Sequence, residues 1–178
     1  MNKARFKVKI EKMEEEYKYA EIIGYENYLI YENGQVFSKK NKRFLKPRVN
    51  RTGYLYVNLW KNNYGKNMMI HRLIALYFVP NPMNKLLVDH IDGNPLNNSI
   101  DNLRWSTESE NHQNSRRRCD NKSGEKNVCW AKRESKWVVT FSINGKIKHF
   151  GYFEDFEEAV MVASAIRQEL HGEYARDA

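Results

Sequence analysis

Cysteine is scarce: only Cys119 and Cys129 occur among 178 residues. Two thiols exclude a disulfide framework and a four-cysteine zinc site, and a reduced, cytoplasmic setting is the expectation. Long apolar runs are missing as well. No stretch approaches the about 20 residues of a membrane-spanning helix, and the lysine-rich start carries no apolar signal core, so no membrane association is expected. Hydrophobic residues make up 41% of the chain and the mean hydropathy is −0.80. That is too little for one large core, so small modules are expected. Acidic charge is in the minority, 22 Asp and Glu against 30 Lys and Arg, for a net charge of +8 and a pI near 9.4. This balance predicts affinity for polyanions but names none.

The first 20 residues read as a charged, solvated arm, with Lys3, Arg5, Lys7, Lys9 and Lys12 ahead of Glu14, Glu15 and Glu16. Residues 21–67 read as a β-rich module. Asn33-Gly34 between Tyr28–Tyr31 and Gln35–Ser38 is a hairpin signal. Leu55, Val57 and Leu59 alternate with Tyr54, Tyr56, Asn58 and Trp60, the period of a half-buried strand. Residues 70–79 have helical spacing, with Leu73, Ile74, Tyr77 and Phe78 on one face and Pro80 as the stop. His71 and Arg72 open this helix and are assigned a structural role or a contact to a polyanion backbone.

The chemistry concentrates in Val88-Asp89-His90-Ile91-Asp92-Gly93-Asn94 and the segment that follows. Leu86 to Val88 suit a short strand, Gly93-Asn94-Pro95 and Asn97-Asn98-Ser99 a turn-rich loop, and Leu103-Arg104-Trp105 the returning strand. Thr107 and Glu110 fit a capping box, so a helix is expected from about Ser106 to Glu108 onward, with Asn111 one turn inside it. An imidazole supplies a base near working pH. The oxygens of Asp and Asn side chains suit a hard divalent ion.

Residues Asp89 to Asn114 resemble the HNH nuclease motif, the ββα-metal or His-Me finger, in its phage homing-endonuclease branch, where the last histidine is replaced by asparagine. The resemblance implies that His90 is the general base and that Asp89 and Asn111 hold one divalent metal, Mg²⁺ first and Mn²⁺ second. It also implies that Asn102 braces the loop and orients His90. His112 is the rival ligand, pointing about 100° away from Asn111 on the helix. The run Gly24-Tyr25-Glu26-Asn27-Tyr28 with Asn33-Gly34-Gln35-Val36-Phe37-Ser38 is similar to the small nuclease-associated modules that precede this motif in homing enzymes.

Residues 116–123 read as a basic linker whose Arg116, Arg117 and Arg118 are candidates for lying along DNA. In residues 124–178, Val128–Trp130, Trp137–Ile143 and Ile147–Phe153 read as three strands, with Asn144-Gly145 as a hairpin signal, followed by an apolar-striped helix ended by His171-Gly172. Trp130, Lys132-Arg133, Lys136-Trp137, Asn144-Gly145-Lys146, Phe150-Gly151-Tyr152-Phe153 and Leu170-His171-Gly172-Glu173-Tyr174 resemble the Apetala-two/ethylene-response-factor DNA-binding domain. In that family the sheet reads the major groove. Alternation places Trp137, Val139, Phe141 and Ile143 toward the helix, and Val138, Thr140 and Ser142 outward with Arg133 and His149; Lys132 is a further candidate for DNA contact. Trp130 and Trp137 are expected in the core.

The expected fold is therefore α+β and modular, an HNH core at 68–115 between a β-rich module and a three-stranded antiparallel sheet with one packed helix. The expected partner is double-stranded DNA, with no obligatory protein partner and a monomer favoured. The rivals are a DNA-binding regulator with an inactive nuclease core, and a structure-directed nuclease with little sequence preference.

Overall fold

A computed structural model describes residues 16–114, 121–143 and 145–176. It is mixed α+β, with several small antiparallel sheets and few helices. Two compact units divide the chain at Thr107/Glu108.

In the first unit, β1 (Tyr19–Ile22), β2 (Tyr25–Tyr31), β3 (Val36–Ser38) and β4 (Arg43–Phe44) form one sheet in that order. A second sheet contains β5 (Arg48–Val49), β6 (Leu55–Lys61) and β7 (Tyr64–Met69). Along β6 the alternation has its expected effect: Val57 and Leu59 are buried while Asn58 and Trp60 face solvent. Strand β7 runs directly into α1 (Ile70–Phe78), which buries Ile70, His71, Leu73, Ile74 and Ala75. The helix stops at Val79, whose extended backbone suits the residue before a proline. A short pair, β8 (Leu87–His90) and β9 (Leu103–Ser106), completes the unit.

One core spans residues 67/68. Ile22, Tyr28, Ile30 and Val36 from the first sheet, Val57 and Leu59 from β6, Ile70, Leu73 and Ile74 from α1, and Leu103 from β9 form one cluster. Gly34 shows why. Its φ is +82°, and a Cβ there would lie 3.1 Å from Ile70 Cγ2 and 3.3 Å from Ile74 Cδ1, so the tip of the β2–β3 hairpin sits against the helix.

The second unit begins with α2 (Glu108–Gln113), the helix expected after Thr107. The expected core at 68–115 included this helix. Next come β10 (Val128–Ala131), β11 (Lys136–Ile143) and β12 (Lys146–Phe153), antiparallel in that order. In α3 (Phe156–His171), Asp155 caps the start by accepting from the Glu158 amide, and Gly172 ends the helix at φ +50°. Val128, Val139, Phe141, Ala159 and Ala163 form the core, with Trp137 and Ile143 packed against it.

Two expectations on this sheet are corrected. Val138 does not present itself to a partner: it is 4% exposed. Trp130 is 47% exposed, with its ring edge-on to Trp137 at 5.0 Å. It lies on an edge strand, where its neighbour covers one side only. Asn144, half of the expected hairpin signal, and Arg116 to Arg118 lie outside the described residues.

Because Leu73 closes a core shared by both sheets and the β8–β9 pair, Leu73→Ala is expected to cost about 2–5 kcal/mol. Urea denaturation followed by hydrogen exchange at β2, β6 and β9 should show all three losing protection together. Loss confined to the neighbourhood of α1 would mean that the core is not shared.

Candidate active site

The β8–β9 pairing places Leu87 opposite Ser106, Val88 opposite Trp105, Asp89 opposite Arg104 and His90 opposite Leu103. The pair is anchored at both ends. Leu103 enters the common core, and the Trp105 indole N–H donates to the Val79 carbonyl at 3.0 Å, tying β9 to the end of α1.

The loop between the strands is organised by one amide side chain. Asn102 Oδ1 accepts from the Asp92 N–H at 3.0 Å, while its Nδ2 donates to Asp92 Oδ1 at 2.9 Å and to the Asn97 carbonyl at 2.8 Å. The Asn102 carbonyl accepts from the Ile91 N–H at 2.9 Å. Asp92 gathers further donors: the Asn94 N–H at 2.7 Å on Oδ1, and Asn97 Nδ2 at 2.7 Å on Oδ2. Burial works to raise the Asp92 carboxyl, but these bonds from Asn94, Asn97 and Asn102, and the charge of His90, outweigh it and hold it below the usual carboxylate range. Gly93, at φ +62°, donates to the His90 carbonyl at 2.8 Å, a turn that favours glycine immediately after the histidine.

Asp89 is 6% exposed and His90 5%. Asp89 Oδ2 receives Arg104 Nε at 3.0 Å and lies 2.9 Å from Arg104 Nη2, an ion pair between directly opposed residues. Its neighbour His90 has Nε2 3.0 Å from Asn98 Oδ1. The His90 ring also belongs to a three-ring cluster, 5.1 Å from His71 and 5.8 Å from Tyr54, with His71 and Tyr54 4.9 Å apart. His71 is 5% exposed, and its Nδ1 is buried with no hydrogen-bond partner. Burial first, then the charges of His90 and Arg72, lower its pKa from 6.5 to about 4. This imidazole is therefore neutral at working pH.

Of the residues picked from the sequence, Asp89, His90 and Asn102 stand together on one hairpin. Asn111 and His112 are exposed on α2, in the second unit. The donors considered for a metal are a carboxylate and an amide carbonyl. No group of three or more His, Cys, Asp or Glu side chains arranged to hold an ion occurs among the described residues. Oxygen donors of this kind suit a hard divalent ion.

In the second unit, Lys132, Thr140 and Ser142 line a cavity of about 1010 Å³ together with His112. Arg133 is exposed in the β10–β11 turn. His149, opposite Thr140 on β12, is exposed and stacks on Tyr152 at 6.0 Å and 10°.

Sequence reasoning missed Arg104, Asn98 and Tyr54 as neighbours of the Asp-His pair. Arg104 was recoverable, because pairing the two short strands places opposite charges face to face. Asn98 and Tyr54 had no local signal, since their contacts depend on the loop path and on the shared core.

Comparison with known proteins gives this geometry a family. Residues 68–113 match the model of HNH endonucleases, and residues 15–60 match the NUMOD4 motif. A solved structure, described as DNA binding and cleavage by the HNH homing endonuclease I-HmuI, superposes with a TM-score of 0.54 and 31% identity, covering 75% of this chain and 77% of that one. The chain belongs to the HNH endonuclease family. Among curated members, it is 39% identical to DNA endonuclease I-HmuI of Bacillus phage SP01 over 98 residues, 54% of this chain and 56% of that protein. It is 42% identical to Protein 3.8 of Escherichia phage T7 over 89 residues, 50% of this chain and 73% of that one. An uncharacterized HNH endonuclease L245 of Acanthamoeba polyphaga mimivirus is 47% identical over 85 residues, 48% of this chain and 26% of its own length. HNH endonucleases generally use a divalent metal, and the Asp-His pair lies inside the matched family segment.

The depressed His71 pKa has a consequence for stability. Between about 6.5 and about 4 the unfolded chain takes up a proton at His71 that the folded chain refuses. Stability therefore falls as pH is lowered through that window, and His71→Gln should remove this part of the slope. Thermal unfolding of both proteins across the window tests this; parallel curves would refute it.

Proposed function

We propose that this protein is a metal-dependent DNA endonuclease of the homing type, which hydrolyses phosphodiester bonds at a site chosen by its DNA-binding surfaces. The observation that carries the reading is the Asp89-His90 pair, buried on a hairpin whose loop is locked by Asn102, in a chain of the HNH endonuclease family.

In this reading His90 is the general base. It takes a proton from water as the water oxygen attacks phosphorus, and the bond from phosphorus to the 3′ oxygen breaks, leaving 5′-phosphate and 3′-hydroxyl ends. Asp89 and Asn111 would hold the divalent ion, with Mg²⁺ the first choice for oxygen donors. Such an ion stabilises negative charge on the scissile phosphate and the leaving oxygen. Asn102 keeps the loop, and so the His90 backbone, in place. Tyr54 and His71 wall one side of the imidazole, and the neutrality of His71 spares a proton-accepting neighbour a fixed positive charge.

Residues 124–178 are proposed as an Apetala2-like module that holds double-stranded DNA through its sheet. Lys132 and Arg133 in the β10–β11 turn, Thr140 and Ser142 on β11, and His149 on β12 are the contacts. The basic linker carrying Arg116, Arg117 and Arg118 would track phosphates. A monomer with one such core would nick a single strand.

The deciding experiment uses supercoiled DNA carrying the gene's flanking sequences joined without the gene. The wild-type protein is expected to give discrete nicked product with Mg²⁺ and none with EDTA. His90→Ala should lower cleavage by about 10²- to 10⁴-fold while gel-shift binding is kept. Asp89→Ala should lose metal-dependent cleavage. Arg133→Ala and Thr140→Ala should instead weaken binding to the preferred site. Binding without cutting by the wild type, across metals and across wider genomic DNA, would favour a DNA-binding regulator.

A further inference from the structure

Strand register divides the side chains of β11 and β12 between the two faces of their sheet. Trp137, Val139, Phe141 and Ile143 pack toward α3, so their partners Phe153, Gly151, Lys148 and Lys146 share that side. Val138, Thr140 and Ser142, with their partners Tyr152, His149 and Ile147, make up the other. One break in the register shapes this outer face. Val139 is opposite Gly151 while Thr140 is opposite His149, so Phe150 is the extra residue of a β-bulge. Its ring lies edge-on to Phe141 of the core at 5.5 Å. His149 and Tyr152 are three apart in sequence, and a regular strand would put them on opposite sides. The bulge brings them to one face, where their rings stack at 6.0 Å and 10°.

None of these outer-face residues is Arg, Lys, Asp or Glu. Ile147 is 72% exposed and Tyr152 45%, so two large apolar surfaces stand open beside the hydroxyls of Thr140 and Ser142. Exposed cations lie around them instead: Lys132 and Arg133 in the β10–β11 turn, and Lys146 and Lys148 on the other side of the edge strand β12. A positive rim about an uncharged, partly apolar centre is complementary to a DNA groove, whose walls are phosphates and whose floor is base edges. The base edges narrow the choice further. Guanine is read by a bidentate Arg or Lys, which the outer-face residues do not supply, whereas apolar side chains read the thymine C5 methyl in the major groove.

We propose that this face reads thymine: Ile147 and Tyr152 receive C5 methyls in the major groove, and the stretch of DNA under the sheet is accordingly rich in A·T pairs. This rests on the reading of residues 124–178 as a DNA-holding module. The spacing agrees with it. Ile147 and His149, two residues apart on one strand face, are separated by about 7 Å, which equals about two base-pair steps. Ile147, His149 and Tyr152 therefore address separate base pairs.

The test is a binding selection by the full chain from a pool of random DNA duplexes, in EDTA so that no strand is cut. The wild type should enrich a block of A·T pairs. In the enriched duplex, replacing the thymines of that block by uracil removes only the C5 methyls, and should weaken wild-type binding about fourfold for each methyl buried. Ile147→Ala should bind the thymine duplex more weakly and lose its share of the discrimination, so that the effects of side chain and methyl are not additive. Ile147→Leu keeps an apolar surface and should keep the preference, and thermal unfolding of both variants should match the wild type. Selection without an A·T block, equal wild-type affinity for the thymine and uracil duplexes, or undiminished discrimination by Ile147→Ala would each overturn the proposal. So would self-association of the chain that Ile147→Ala abolishes while DNA binding is unchanged, because the face would then belong to a second copy. Arg133→Ala on the same duplex separates the two layers. If neither it nor Ile147→Ala changes affinity, the reading of the sheet as a DNA-binding surface falls; if it weakens binding while thymine and uracil duplexes are bound alike by the wild type, only thymine recognition falls.

Discussion

Everything at the candidate site depends on the Asn102 side chain holding three groups of its own loop at once: the Asp92 N–H, the Asp92 carboxylate and the Asn97 carbonyl. A twelve-residue excursion between two four-residue strands would otherwise have many backbone conformations, and the entropy of ordering it would oppose any fixed geometry at its base. One planar amide with two donor hydrogens and an acceptor is well matched to closing such a loop. The 91–102 backbone bond closes the loop neck and the Asp92 carboxylate collects the remaining donors. His90 stands at the first residue outside this clamp, so its main chain inherits the rigidity of the network. That is how a loop rich in asparagine and glycine can end on a well-positioned side chain.

The Asp89–Arg104 pair makes a second constraint of a different kind. A buried carboxylate without a partner is costly, and in the hairpin register the cross-strand residue supplies a guanidinium. The pair settles which face of β8 Asp89 takes, because a slip of one residue would separate the two charges. The Asp89 carboxylate is thereby held in place by the same interaction that sets the strand register.

Much of this could be read from residue order, and the limits have physical causes. The strand, loop, strand and helix sequence around Asp89 to Asn111 follows from local signals: a short apolar run, turn residues, then a capped polar segment, and the elements fall where those signals put them. Helix α1 ends where Pro80 requires it. The alternation on β6 and β11 correctly assigns the core faces of Leu59, Val139 and Phe141. Val138 was misread because alternation tells which face a side chain takes, and not whether something else covers that face. The start of the nuclease segment at residue 68 agrees with the matched family segment, yet no linker marks it: Met69 ends a strand and Ile70 begins the helix. Asn98, Tyr54 and His71 meet His90 through the path of a loop and the packing of a core, neither of which has a local period to detect.

The three-ring cluster joins the two matched segments within the first unit. Tyr54 belongs to the stretch that matches the NUMOD4 motif, and His71 and His90 belong to the stretch that matches HNH endonucleases. Tyr54 is placed by a tight turn in which Asn50 Oδ1 accepts from the Thr52 and Tyr54 N–H groups at 3.0 and 2.9 Å. Its ring then touches both histidines. A segment the size of residues 68–113 buries only a smaller fraction of its surface by itself than a larger domain does. Here its helix and its hairpin complete a core whose other half is the preceding sheets. The first module therefore supplies the hydrophobic support that keeps α1 and β8 at a fixed spacing, and one ring of the wall against which His90 packs. Any surface on that module is thereby joined to the Asp-His pair through this same core, with no linker between them.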